Sequence, residues 1–228
     1  VNICDLWGNQ FTILLRNIDC DPEIVIDHFE SMAKTPLINY FGVQRFGVVR
    51  PVTHLIGKAL VQKDYETAAK IILTTPGKFE SESLQEARNK MKDGDFSEAI
   101  LKELPRDMRY ERFVLRELIK HPTEFKRAIF KLSHRLQTLF VHAFQSYLFN
   151  RLVSERYRLD IPLDRPSIGD FLIGLDDVHT GRDDWIFVTE QNLSQCSDLV
   201  AKREYGVAIV IPGYASKMPN TRQKELIK

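Results

Sequence analysis

The 228 residues are 43% hydrophobic and 28% charged, enough apolar sequence to bury at least one sizeable core and too much for a disordered chain. The net charge of +1 neither requires nor excludes a nucleic-acid partner, so local clustering has to decide. No run approaches the roughly 18 apolar residues of a membrane helix, and no basic-then-apolar leader is present, which predicts an intracellular protein with no membrane partner. Cys4, Cys20 and Cys196 are odd in number and widely spaced, which argues against disulfides or a zinc site and for buried thiols.

Along Ile3 to Arg16, apolar residues alternate around Phe11, Ile13 and Leu15, the pattern of a strand with one buried face, and Gly8 and Asn9 suggest a preceding turn; the segment reads as a hairpin. Asp21 and Pro22 then start a helix in which Val25, Phe29 and Met32 repeat at helical spacing until Pro36. Helices are expected near His54 to Val61, Asp64 to Leu73, Ser81 to Met91, Asp95 to Leu104 and Asp107 to Lys120, followed by a long one from about Thr123 to Tyr157. Beyond Pro162 the strand candidates DFLIGL, DWIFVT and GVAIVI surround a helix from about Glu190 to Arg203, started by Thr189. The sum is an α+β chain. Val1 opens in strand-like sequence and Lys228 closes in a polar run, so both ends are expected to be cut.

Two segments, KDYETAAKIIL and GDFSEAILKEL, imitate a helical repeat, with Asp64 and Asp95 near one tetratricopeptide period apart. A non-catalytic helical-repeat adaptor that binds peptide is therefore the rival reading. Two weak copies fall short of the three or more that such arrays need, and ordinary amphipathic helices are expected instead.

The most distinctive stretch is NYFGVQRFGVVRPVTH, Asn39 to His54. It places Tyr40, Phe41 and Phe46 among Gln44, Arg45, Arg50 and His54, with glycines at 42 and 47. Aromatic faces, amides and guanidinia beside glycines are what a protein needs to hold an unstacked base. The amide of Asn39 can donate and accept at once on a uracil edge, Phe41 can support a ring, and Arg45 or Arg50 can hold phosphate. The competing reading is a Gly-bounded turn with core aromatics and surface ion pairs.

In order along the chain, GNQFTILLR, INYFGVQRFG and RPVTHLIGKAL resemble the GNxFxIxLR, NYFGxQRFG and RxxTHxxGxxL blocks of the TruD family of tRNA pseudouridine synthases. LFVHAFQSYLFNRLVSER, VTEQNLSQCSDLV and VAIVIPGYASKMP are similar to later blocks of that family, in a form closer to its archaeal and eukaryotic members. The resemblance implies a two-domain enzyme, with a mixed sheet shared among pseudouridine synthases, a TruD-specific insertion and an RNA cleft between them. On that basis residues 1–58 are expected to belong to the catalytic domain and 59–228 to the helix-rich insertion. It implies an isomerase that detaches the uracil of a tRNA uridine, usually at position 13, rotates it and rejoins it through carbon. tRNA is the implied partner, the cytoplasm the implied location, and no cofactor or metal is implied. Asn39 matches the family asparagine that contacts the target base, and Phe41 matches the aromatic that helps line the site.

The family's nucleophilic aspartate lies in a GxKDxxAxTxQ segment that precedes the GNxFxIxLR strand, so it is expected upstream of Val1, with no catalytic residue in this chain and no activity from this piece alone. An aspartate suits the reaction because it can add to the anomeric carbon or take a sugar proton, once the uridine has left its stack. LVQKDYETAA superficially imitates the motif, but Asp64 sits at a helix start, where capping is expected.

Arg106, Arg109, Arg112 and Arg116 fall within about a third of one helix circumference at about 100° per residue, with Met108, Leu115 and Ile119 opposite. Such a stripe suits a phosphate track, diluted by Asp107, Glu111 and Glu117, and Arg109 and Arg112 are its central candidates for RNA contact. The histidines form no HExxH or HxE with PCxxC, and no GxxxxGK[ST] or GxGxxG string occurs, so metal and nucleotide-phosphate sites are not expected. Gln145, Ser146, Tyr147 and Asn150 interrupt an apolar helix, and structural hydrogen bonding is their expected role.

Overall fold

A computed structural model describes residues 10–33, 38–176, 181–211 and 213. Contacts divide the chain into two compact units, Val1–Ile38 and Asn39–Lys228.

In the first unit, helix α1 spans Pro22–Ala33. The Asp21 carboxylate accepts from the Glu23 amide at 3.2 Å, the capping expected there. No residue of α1 is buried. The strand expected before it does not form among the described residues: 10–19 have no ladder partner, and Phe11 and Ile13 are each 78% exposed. Alternation marks one face for burial, but a strand also needs a second strand to take its amides. The turn expected at Gly8 and Asn9, and Cys4, lie outside the described residues. Cys20 is exposed rather than buried.

The second unit is helical up to residue 158: α2 (Thr53–Val61), α3 (Tyr65–Thr74), α4 (Glu82–Lys92), α5 (Glu98–Glu103), α6 (Arg109–Lys120), α7 (Phe125–Phe130) and α8 (His134–Arg158). Caps explain the starts. Asp64 accepts from the Thr67 amide at 3.0 Å, Ser81 from Leu84 at 3.4 Å, Ser97 from Ile100 at 3.5 Å and Ser133 from Leu136 at 3.3 Å. Ser133 also divides the long helix expected from Thr123 to Tyr157 into α7 and α8. The helical-repeat reading loses its basis here, because α3 has ten residues capped by Asp64 whereas α5 has six capped by Ser97. The two segments are not copies of one unit.

The core of this bundle holds Ile56, Ala69, Leu73, Met91, Ile100, Leu115, Leu118 and Ile129, all nearly inaccessible. Helices α2 and α8 pack most closely, and Gly57 permits it: a Cβ there would overlap the backbone carbonyl of Phe140. The carbonyls at the end of α3 would be left unpaired by helix geometry. Two guanidinia take them, Arg50 donating to Ile71 and Ile72 at 3.2 and 2.8 Å, and Arg88 to Leu73 at 2.7 Å.

After α8, strands β1 (Phe171–Leu175), β2 (Gly181–Phe187) and β3 (Tyr205–Ala208) form an antiparallel sheet in the order β2-β1-β3, with α9 (Leu193–Ala201) beside it. The α+β class therefore holds, with the sheet of the described residues at this end of the chain. Leu172, Val188 and Cys196 form its core, and burial pushes the Cys196 thiol up. Helix α9 starts at Asn192 rather than Thr189, whose amide and hydroxyl donate to the Asn192 carboxamide oxygen at 2.7 and 3.2 Å. A buried two-pronged ion pair, Arg156 to Asp170 at 2.5 and 2.6 Å, ties the end of α8 to the start of β1.

Candidate base-binding strap

Residues 39–50 form a strap held at three points. At its start, the side chain of Asn150 on α8 makes two hydrogen bonds with the main chain of Phe41, accepting from its amide at 2.9 Å and donating to its carbonyl at 3.0 Å. The Tyr40 hydroxyl lies 3.1 Å from the Ser154 hydroxyl, one turn further along α8. In the middle, a 3₁₀ turn at Val43–Arg45 leads to Gly47 at φ +103°, where a Cβ would overlap the Arg50 carbonyl. Only glycine accepts that backbone and that approach. The first residue of α2 closes the turn: the Thr53 hydroxyl donates to the Arg45 carbonyl at 3.0 Å, and its amide to the Phe46 carbonyl at 3.3 Å.

At the far end, Arg50 is half-buried. Its guanidinium pairs with Glu111 at 2.5 Å, their side chains only 12% and 13% exposed, while also holding the α3 carbonyls. Burial and the neighbouring Arg88 cation pull the Arg50 pKa below its ordinary value, against the opposing carboxylates of Glu111 and Glu80. Arg50 therefore fastens the strap to α3 and α6 rather than facing a phosphate. His54 completes the support, its ring stacked on Tyr147 at 4.8 Å and edge-on to Phe46 at 5.4 Å. Its Nδ1 is buried without a hydrogen-bond partner, and burial lowers its pKa.

Between these anchors the strap brings two expected site residues together, Phe41 and Arg45, while Asn39 precedes the first anchor and is not among the residues lining the cleft. Asn39 is exposed, Phe41 is half-buried against the edge of Phe149 at 5.4 Å, and the exposed Arg45 guanidinium lies 5.3 Å from the centre of the Phe41 ring. Phe41, Gly42, Gln44, Arg45, Thr53 and Leu139 line a cleft of about 460 Å³. An aromatic wall, an amide and a cation around such a space can support, edge-bond and charge-balance a nucleotide.

The arginine stripe on α6 divides. Arg109 and Arg116 are exposed on it, whereas Arg106, expected on the same helix, is exposed in the turn before α6 begins. Arg112 instead donates to the carbonyls of Leu101 and Leu104 at the end of α5, both at 2.6 Å, so it serves as a helix C-cap. Asn150 is the residue whose bearing on the site sequence reasoning missed; its position on an apolar helix signalled a structural hydrogen bond, but its partner lies 109 residues away. Among the described residues no three metal-ligating side chains cluster, and no helix is long and apolar enough to cross a membrane.

The chain belongs to the TruD family: the family model described as tRNA pseudouridine synthase D (TruD) matches residues 1–228. Curated relatives named "Probable tRNA pseudouridine synthase D" include one from Methanosarcina mazei, 34% identical over all of this chain and 54% of its own length. Another, from Methanopyrus kandleri, is 42% identical over 73% of this chain and 42% of its own length. A crystal structure titled as TruD from Methanosarcina mazei superposes with a TM-score of 0.82 at 31% identity, covering 93% of this chain and 51% of that one. The chain thus spans about half the length of the relatives it matches, and the resemblance of its sequence blocks to this family is borne out.

Proposed function

We propose that this chain forms part of an enzyme that isomerises a uridine of tRNA, at position 13, to pseudouridine. The observation that carries the proposal is the Phe41 ring on a locked strap, with Arg45 against it and Asn39 exposed two residues away, in a chain matched throughout by the TruD family. Asn39 hydrogen-bonds the edge of the extruded uracil, Phe41 supports its ring, and Arg45 meets a flanking phosphate.

The role of the strap is positional. Extruding a base costs unstacking energy, which is repaid only if the pocket is already shaped to hold it. The three anchors, at Asn150, Thr53 and Arg50, supply that shape before RNA arrives. The covalent or proton-transfer step belongs to the family aspartate of a GxKDxxAxTxQ segment, which has no counterpart in these 228 residues. Asp64 is not that group, since its carboxylate caps α3, and the Thr67 amide holds its pKa down. The exposed arginines of α6 add phosphate contacts away from the reacting base. The boundary between catalytic domain and insertion expected near residue 58 falls within α2 (Thr53–Val61), whereas the compact units divide between Ile38 and Asn39; the enzyme works where its tRNA is, in the cytoplasm.

The test is mass-spectrometric mapping of pseudouridine in unmodified tRNA incubated with the full-length enzyme. A new pseudouridine at position 13 supports the reading, and an unmodified tRNA rejects it.

A further inference from the structure

A second cleft, of about 400 Å³, lies where the end of α2, the start of α3, the end of α7 and the first turns of α8 meet. One wall is aromatic: Tyr65 and Phe130 stand edge to face, with centroids 5.5 Å apart. The ammonium of Lys126 lies 5.9 Å from both ring centres. The opposite wall comes from successive turns of α8, with His134, Thr138 and His142. Among the described residues no carboxylate lines the space.

Phe130 is 56% exposed at the end of a six-residue helix, whereas Ala128 and Ile129 beside it are buried in the core. It therefore contributes little to the bundle, and its free face looks into the cleft. The cleft is separate from the strap, because Thr53 borders one and Leu60 the other, seven residues and roughly 10 Å apart along α2.

We propose that this cleft is a second RNA subsite, in which an unpaired base of the bound RNA stacks on Phe130 beside Tyr65. This inference rests on the tRNA reading above. Lys126 neutralises the adjoining phosphate while polarised by the two rings, and the imidazoles and hydroxyl of α8 meet the base edge. A base is favoured over an apolar peptide segment because its ring can stack on Phe130 while an attached phosphate meets the Lys126 ammonium beside the same ring, a cation that an apolar segment would leave unused. The subsite does not touch the reacting uridine, so it contributes binding and not chemistry.

The test uses the full-length enzyme and unmodified tRNA, comparing wild type, Phe130→Ala, Phe130→Trp and Lys126→Ala by binding titration and by turnover at saturating tRNA. Stacking on an aromatic side chain is worth enough that Phe130→Ala should weaken tRNA binding on the order of tenfold. Phe130→Trp should bind like wild type, kcat should hold in every variant, and Lys126→Ala should reduce the salt dependence of binding. Melting temperatures should stay within a few degrees, since Phe130 is largely exposed. Unchanged affinity in Phe130→Ala alongside tight wild-type binding overturns the subsite alone and leaves the strap reading standing, as it would if the cleft served a protein partner. A wild-type enzyme that neither binds nor modifies tRNA overturns both. Equal losses in the Ala and Trp variants, with lowered melting temperatures, would make Phe130 a packing residue and also overturn the subsite.

Discussion

Asn150 grips the main chain of Phe41 from both sides, its carboxamide oxygen 2.9 Å from the Phe41 amide and its nitrogen 3.0 Å from the Phe41 carbonyl. One side chain on α8 thus sets where the candidate base-supporting ring stands. Replacing Asn150 by Ala leaves a partly buried amide and carbonyl unpaired, a loss of about 1–3 kcal/mol. Turnover of the full-length enzyme should fall with it, even at temperatures where the protein stays folded. Asn150→Asp restores the acceptor but not the donor, so it should retain more stability than Ala. Denaturant titration with single-turnover rates on the same preparations checks both statements.

Gly57 allows α2 to meet α8 at the Phe140 carbonyl. Gly57→Ala should destabilise by about 1–3 kcal/mol through overpacking, despite alanine's better helix propensity. A melting curve that rises instead would mean that the helices part without penalty.

The pH dependence of stability has a definite sign. Burial lowers the His54 pKa, so the unfolded chain takes up this proton more readily than the folded one. Stability should therefore be full above about pH 6.5, the unfolded histidine value, and decline as pH falls below it. A second decline follows in the carboxylate range at Glu80. Burial alone would raise its pKa, but hydrogen bonds from Arg88 and the Gly77 amide, with the charges of Arg88 and Arg50, lower it overall. Its contribution is present above the unfolded value and lost as pH falls through the folded one. His54→Phe should remove the first decline and leave the second, as read by denaturant midpoints between pH 7.5 and 4.

Local signals in this chain were legible and non-local ones were not. Asp64 and Ser81 announce α3 and α4 because a cap and its amide lie three residues apart. The Ser133 break between α7 and α8 was missed because the apolar pattern runs through it. Arg50 and Arg112 illustrate the same limit from the other side. A sequence shows a charge but not whether a helix C-terminus will claim it, and both guanidinia are taken by carbonyls at helix ends. Of the hairpin expected over Ile3 to Arg16, the described residues 10–16 form no ladder, because alternation reports a face, whereas a strand also needs a neighbour. The proximity of Phe41 and Arg45 was legible because both sit within one turn-forming segment, although the anchors that shape that segment come from distant α8 and α3.

Exposure now separates the arginines of α6. Reversing Arg109 and Arg116 to Glu in the full-length enzyme should weaken tRNA binding and flatten its salt dependence, by about 0.9 in log-log slope for each phosphate no longer neutralised. Arg112→Glu should act differently, lowering stability through the α5 carbonyls it leaves unpaired. An unchanged slope in the double reversal would assign the exposed stripe to solvent.

The most direct measurement is the single-turnover rate of Asn39→Ala in the full-length enzyme, taken with a tRNA binding titration and a melting curve. Many phosphate contacts supply affinity, whereas a preorganised amide at the reacting base supplies on the order of 3 kcal/mol at the barrier. The account predicts a rate reduced about a hundredfold or more, with tRNA affinity and melting temperature nearly unchanged. A folded variant that turns over at the wild-type rate would contradict it and remove Asn39 from the site.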